Sequence, residues 1–129
     1  MSIARRKQNN VYRCSLGVLR LGEFDIAGVL YHANYFHLYE VLRESLFSEH
    51  GAPYLDLVQR NAHLAVVESH QEFLRPVRYG DCLSGACWVS ELRKTSATVN
   101  YEITLCPIEH PATANNAEIS NTLLHRAWT

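Results

Sequence analysis

Asn34-Tyr35-Phe36-His37-Leu38-Tyr39-Glu40-Val41-Leu42-Arg43-Glu44-Ser45-Leu46-Phe47-Ser48-Glu49-His50-Gly51 is the stretch on which the reading of the whole chain turns. Tyr35, Tyr39, Leu42 and Leu46 recur at steps of three and four residues, and Phe36, Leu38 and Phe47 widen the stripe. That period predicts one long helix, apolar enough to be buried on most of its sides. Gly51 suits the left-handed position after a helix end. Pro53 suits the first turn of a second, short helix running to about Arg60.

Working outward, the rest is mostly strand. Val11 to Arg20 alternates, with Tyr12, Cys14, Leu16 and Val18 on one face. Beyond the helices, strands are predicted over Ala62 to Leu74, Cys82 to Leu92, Ser96 to Leu105 and roughly Glu118 to Trp128. Within Ser96 to Leu105 the residues Ala97, Val99, Tyr101, Ile103 and Leu105 share one face. Arg93-Lys94-Thr95 is short enough to turn the second and third of these strands into an antiparallel hairpin. This order is an α+β pattern, an antiparallel β-sheet wrapped around a long central α-helix. At 129 residues the chain fits one domain spanning 1–129, with 1–10 as a flexible N-terminal segment. Such a sheet keeps open edges, so a homo-oligomer, dimer or tetramer, is expected.

Composition narrows the functional classes. The formal charge is −1 and the longest basic run is Arg5-Arg6-Lys7, which argues against a nucleic-acid partner. Gln8-Asn9-Asn10 follows that run in place of an apolar secretory segment. No apolar run approaches the roughly 20 residues that span a bilayer. A cytoplasmic protein without a membrane partner is expected. Cys14, Cys82, Cys87 and Cys106 form no C-x-x-C pair and are read as buried small hydrophobes rather than zinc ligands. His32 and His37 lie about 140° apart around a helix, and His63 and His70 point to opposite faces of a strand, so neither pair makes a metal site. No metal or cofactor is expected.

Ahead of the helix, Gly22-Glu23-Phe24-Asp25-Ile26-Ala27-Gly28 follows neither period and reads as a loop. A helix start presents unpaired N–H groups and partial positive charge, able to polarise a carbonyl and hold an oxyanion. Asp25 lies seven residues before His32, near enough in sequence for its carboxylate to face the same point. Gly28 would let backbone approach a ligand without an intervening Cβ. By themselves, the same residues read more readily as an ordinary turn aspartate and turn glycine.

The motif Asp25-x-x-Gly28-x-Leu30-Tyr31-His32-x-Asn34-Tyr35, followed by Tyr39-Glu40-x-x-Arg43, resembles the signature of the 4-hydroxybenzoyl-CoA thioesterase family of hot-dog proteins. Phe73-Leu74-Arg75-Pro76-Val77-Arg78-Tyr79-Gly80-Asp81 resembles that family's second recognisable stretch, and the likeness runs in order from about Tyr12 to Leu105. The resemblance implies a hot-dog fold and acyl-CoA thioester hydrolysis without a cofactor. It also implies that Asp25 attacks the thioester carbonyl or activates water against it, and that the backbone N–H of His32 donates to the oxyanion. A thiolate leaves readily, so little general-acid help is needed. A second hot-dog lineage uses a helical glutamate, which would be Glu40 or Glu44. Here Glu40 is expected to pair with Arg43, and Glu44 to face solvent.

Basic side chains hold coenzyme A in that family, and Arg93, Lys94, Arg75 and Arg78 are the positions available. Each is also readable as a solvated surface charge. Similarity extends to the branch that hydrolyses 1,4-dihydroxy-2-naphthoyl-CoA in phylloquinone and menaquinone synthesis. It rests on Gly28-Val29-Leu30-Tyr31, Ser48-Glu49-His50, Gly80-Asp81 and Tyr101-Glu102-Ile103. Phe24, Tyr31 and Tyr35 could stack on a bicyclic acyl ring, or simply pack the core. The 4-hydroxybenzoyl and short-chain thioesterases share much of this pattern. A hot-dog dehydratase or hydratase, and a non-catalytic acyl-binding module, are the alternatives of other classes. Relatives often carry a short tail past the position of Thr129, which leaves the completeness of the site's rim open.

Overall fold

The computed structural model describes residues 10–106 and 123–129. Residues 1–9 of the expected flexible segment, and 118–122 of the last expected strand, lie outside them. Among the described residues five strands form one antiparallel sheet in the order β1-β3-β4-β5-β2. They are β1 (Tyr12–Val18), β2 (His70–Phe73), β3 (Cys82–Leu92), β4 (Ala97–Leu105) and β5 (Leu123–Trp128). Helix α1 (Tyr35–Glu49) lies across the inner face, and a short α2 (Tyr54–Gln59) follows it.

The hairpin of β3 and β4 forms as its alternation predicts, and the Arg93 N–H closes the turn on the Ser96 carbonyl at 2.8 Å. Leu83, Cys87, Val99, Tyr101 and Ile103 face the helix and are buried. From α1 they receive Tyr35, Leu38, Tyr39, Leu42 and Leu46, each burial worth about 2 kcal/mol. Helix and sheet pack tightly over Gly85. A Cβ there would stand 2.6 Å from Leu42 Cδ2 and 3.0 Å from Leu16 Cδ1.

Gly51 takes φ 76°, and the Ala52 N–H reaches back to the Phe47 carbonyl at 2.9 Å, so the helix stops where the glycine permits a left-handed step. Pro53 stands one place earlier than expected, as the N-cap of α2.

Several expectations need correction. Helix α1 is buried on one face only, and Phe36 (41% exposed) and Val41 (48%) remain open to solvent. The strand predicted over Ala62 to Leu74 contracts to His70–Phe73, because His70 pairs with Trp128 and residues upstream find no partner strand among the described residues. The argument that placed His63 and His70 on opposite strand faces lapses with it. In β1 the register shifts between Ser15 and Gly17, so Val18 turns outward and Leu19 packs inward instead. Of the four cysteines only Cys87 is buried; Cys82 is exposed, and Cys14 and Cys106 are intermediate. Leu83 pairs with Leu105 on the inner face, which turns their neighbours Cys82 and Cys106 outward.

The core also holds polar groups. His125 on β5 is 0% exposed, its ring 4.2 Å from that of Tyr35 and 4.8 Å from that of Phe73. Its Nε2 meets the Tyr39 hydroxyl, which lies 3.2 Å from Gln71 Oε1. Beside it, the Tyr101 hydroxyl accepts from Arg43 at 3.2 Å and contacts Thr129 Oγ1 at 2.9 Å. Arg43 is thus engaged with the sheet, in place of the expected pairing with Glu40.

Candidate active site

Three short segments lie side by side ahead of α1. Phe24 bridges Leu30 and Val29 bridges Arg78, both antiparallel. The Leu30 N–H donates to the Val77 carbonyl at 2.8 Å and the Tyr31 N–H to the Glu23 carbonyl at 3.1 Å. Residues 23–31 are therefore a small hairpin, pinned along one side by the segment that leads into β3.

Asp25 stands at the tip of that hairpin. Its N–H donates to the Val29 carbonyl at 2.9 Å and its carbonyl accepts from Gly28 at 3.0 Å. Its carboxylate Oδ1 accepts from the N–H groups of Ala27 at 2.9 Å and Val29 at 3.3 Å. Gly28 sits at φ 77°, a step that a residue with a Cβ makes at a cost, and nothing lies within 4 Å of where that Cβ would be. Both side-chain bonds fall on Oδ1, and among the described residues no donor is found on Oδ2. One carboxylate oxygen shapes the turn, and the other carries no protein donor among the described residues.

His32 lies just past the base of the hairpin. It opens a 3-10 turn, His32–Asn34, that runs straight into α1. Neither has a side-chain cap bond, so the first N–H groups of this turn find no side-chain acceptor at the cap among the described residues. The Asn34 side chain donates to the Glu23 carbonyl at 2.8 Å, and His37 Nδ1 lies 3.3 Å from Glu23 Oε2. Glu23 therefore ties the hairpin to the head of the helix, a role its position in the sequence gave no sign of. No hydrogen bond joins Asp25 to His32.

The remaining expected residues fall into different settings. Tyr31 is half exposed, its ring 4.4 Å from that of His32. Tyr35 is 2% exposed, stacked on His125 and edge-on to Phe73, which is the core-packing alternative. Burial pushes its hydroxyl above the ordinary tyrosine range, and a hydrogen bond with the Val77 backbone opposes that. Phe24 packs edge-on against Tyr79. Arg75 and Arg78 are exposed on the segment that pins the hairpin. Arg93 and Lys94 are exposed at the far end of β3, an 11-residue strand, which is roughly 30 Å of extended chain away. Arg93 is paired there with Glu91 at 2.8 Å. One chain does not bring the two basic pairs together. Glu40 and Glu44 are both exposed on α1.

A profile of the Thioesterase superfamily matches residues 27–106, well over half of the chain. The chain belongs to the Thioesterase superfamily. The matched span holds Gly28, Tyr31, His32 and Tyr35, and Asp25 lies just ahead of it. A Bacillus subtilis (strain 168) protein named "Putative acyl-CoA thioesterase YneP" is 28% identical over 85 residues, which is 66% of this chain and 62% of that protein. The chain thus spans less than two thirds of the length of the curated relatives it matches. Among solved structures, 4-hydroxybenzoyl-CoA thioesterase from Pseudomonas sp. strain CBS-3 superimposes with a TM-score of 0.73 at 19% identity, covering 92% of this chain and 81% of that one. A 1,4-dihydroxy-2-naphthoyl-CoA thioesterase from Synechocystis gives 0.70 at 22% identity, covering 92% and 77%. These likenesses establish the superfamily's hot-dog fold, as expected from the loop and helix motifs.

The inward-facing polar group of His125, Tyr39 and Gln71 carries no recognisable motif in the sequence. The one available signal was that His125 alternates with Ala127 on a strand whose inner face is buried.

Proposed function

We propose that this chain hydrolyses the thioester bond of an aromatic acyl-CoA. The observation that carries the reading is a carboxylate with one uncommitted oxygen, on the Asp25 turn, set ahead of an uncapped helix head in a Thioesterase superfamily chain. In this reading the Asp25 carboxylate attacks the acyl carbon or takes a proton from the attacking water. The His32 N–H donates to the carbonyl oxygen as negative charge develops there. The C–S bond breaks, the coenzyme A thiolate leaves, and water supplies the oxygen of the acid product. No metal enters the scheme.

The favoured substrate is 1,4-dihydroxy-2-naphthoyl-CoA of phylloquinone and menaquinone synthesis. It is supported by the local motifs that resemble that branch and by the fold shared with the Synechocystis enzyme. Tyr31 is the half-exposed aromatic ring beside the helix head, and Gly28 leaves room for backbone approach. Arg75 and Arg78 are the basic side chains on the hairpin's own side. Arg93 and Lys94 would serve the site of a neighbouring subunit in a homodimer or homotetramer. The exposed Leu64, Val66 and Val67, ahead of edge strand β2, offer apolar surface for such an assembly. Cytoplasmic localisation belongs to the same reading.

Asp25→Asn keeps the Oδ1 acceptor that holds the turn and removes the charge. The expected result is a folded protein whose kcat falls by about a hundredfold or more. Wild-type turnover by the folded variant would remove Asp25 from the chemistry. Substrate choice is tested by kcat/KM for dihydroxynaphthoyl-CoA, 4-hydroxybenzoyl-CoA and short aliphatic acyl-CoAs; equal values across the panel would refute the naphthoyl assignment.

A further inference from the structure

Outside the proposed site, two of the four thiols meet. Cys82 opens β3 and Cys106 directly follows β4, and the register of Leu83 with Leu105 sets them opposite each other. The Cys106 N–H donates to the Cys82 carbonyl at 2.7 Å, so the backbone holds the pair in place. Their side chains turn to the outer face, where Sγ lies 2.7 Å from Sγ. Directly opposed residues of an antiparallel pair have Cα atoms about 4.5–5.5 Å apart, inside the range a disulfide spans. Cys82 is exposed and Cys106 partly so, and a small oxidant can reach the pair.

The other two cysteines supply the contrast. Cys87 is fully buried beneath α1 with its Sγ donating to the Leu42 carbonyl, and burial pushes its thiol up to about 12. Burial also raises the Cys14 thiol. Cys106 moves the other way, lowered first by the hydrogen bond from Cys82 and then by Ser84, whose Oγ lies 3.4 Å from its sulfur. The same bond raises Cys82. The Cys106 sulfur, contacted by both the Cys82 thiol and the Ser84 hydroxyl, is the better placed of the two to act as the attacking thiolate.

We propose that Cys82 and Cys106 form a reversible dithiol–disulfide site, oxidised by a small-molecule disulfide such as glutathione disulfide. The Cys106 thiolate attacks one sulfur of the small disulfide. That S–S bond breaks, and the departing thiolate takes up the proton that Cys106 lost. Cys82 then loses its proton, and its thiolate attacks the Cys106 sulfur, forming the Cys82–Cys106 bond and breaking the mixed disulfide. The second small thiolate leaves and takes up that proton. Two electrons and two protons pass from the cysteine pair to the small disulfide, which becomes two thiols. An exposed bond of this kind is readily reduced again. It would tie the open end of the β3–β4 hairpin beside the Arg78–Asp81 turn, whose Asp81 accepts from the Arg78 N–H at 2.8 Å.

The test treats the purified full chain with glutathione disulfide and then dithiothreitol, counting free thiols and mapping linked peptides by mass spectrometry. The expected result is the loss of two thiols, a peptide joining Cys82 to Cys106, a mass lower by two hydrogens with no glutathione retained, and recovery on reduction. Cys82→Ser is expected to trap glutathione on Cys106, having lost the thiol that displaces it. Four unreacted thiols, a lasting glutathione adduct on the unaltered chain, a bond to Cys14, or a bond between two chains would each overturn the proposal. The linkage map of the unaltered chain decides the matter even where a variant fails to fold, and it does not depend on hydrolytic activity.

Discussion

His125 makes the stability of this fold depend on pH in a direction and amount that the structure sets. The imidazole is 0% exposed among the rings of Tyr35, Tyr39 and Phe73, and its Nδ1 has no hydrogen-bond partner among the described residues. Burial lowers its pKa from 6.5 to about 4, opposed by the charge of Glu72. As pH falls below 6.5 the unfolded chain takes up a proton at this position and the folded chain does not, until about pH 4. Stability is therefore unaffected above 6.5 and is lost progressively on the way down. Each pH unit is worth about 1.4 kcal/mol, so the whole window is worth about 3 kcal/mol. Glu72 is held below its ordinary 4.5, chiefly by its hydrogen bond with Arg126, and so contributes mainly at the acid end of the window.

The comparison is with His125→Phe, which keeps a ring in the cluster and leaves the Tyr39 hydroxyl its contact with Gln71 Oε1. Urea unfolding of both proteins between pH 7 and pH 4 gives the difference in unfolding free energy, from which the other histidines cancel. That difference should shift by about 3 kcal/mol against the unaltered protein as pH falls. A difference constant across the range would mean that His125 charges inside the fold without cost, and the reasoning would fail.

Two further outcomes follow from backbone and packing. Gly85→Val should lower stability by about 1–3 kcal/mol, because the added Cβ meets Leu42 at 2.6 Å and Leu42, 0% exposed, has nowhere to move; an unchanged thermal midpoint would show that α1 does not press on β3. Gly51→Ala should cost about 1 kcal/mol through its φ of 76° alone, since nothing lies near the added methyl, and Gly51→Asn should cost less. Equal chemical stabilities for all three residues would place the helix stop elsewhere.

Local periodicity predicted the elements whose partners lie nearby in sequence. The hairpin of β3 and β4 needs only its own turn and alternation, and α1 needs only its apolar stripe and Gly51. Periodicity falls short where a distant partner decides. Residues 62–69 carry Leu64, Val66 and Val67, an acceptable strand composition, yet β2 begins only at His70 because that is where β5 is available to pair with it. Val18 continues a clean alternation in the sequence, but one extra residue opposite β3 reverses its face. Cys82 and Cys106 are separated by the whole hairpin in sequence, and only its register shows that they are neighbours.

The same distinction runs through the site. Turn aspartate and functional carboxylate looked like competing readings of Asp25, because a sequence assigns one role to a side chain. Oδ1 is spent on the N–H groups of Ala27 and Val29, which fixes where Oδ2 stands, so under the proposed function the two roles fall on different atoms of one carboxylate. A carboxylate anchored through one oxygen loses rotational freedom before any substrate arrives, which is the condition under which a charged group acts with little reorganisation. Under the proposed function the turn supports catalysis, so disrupting the turn at constant charge should also reduce turnover. Gly28→Val, at φ 77°, strains that turn and leaves the Asp25 charge in place. It should lower kcat while the protein remains folded. Full activity in that variant would show that the free oxygen needs no anchored partner.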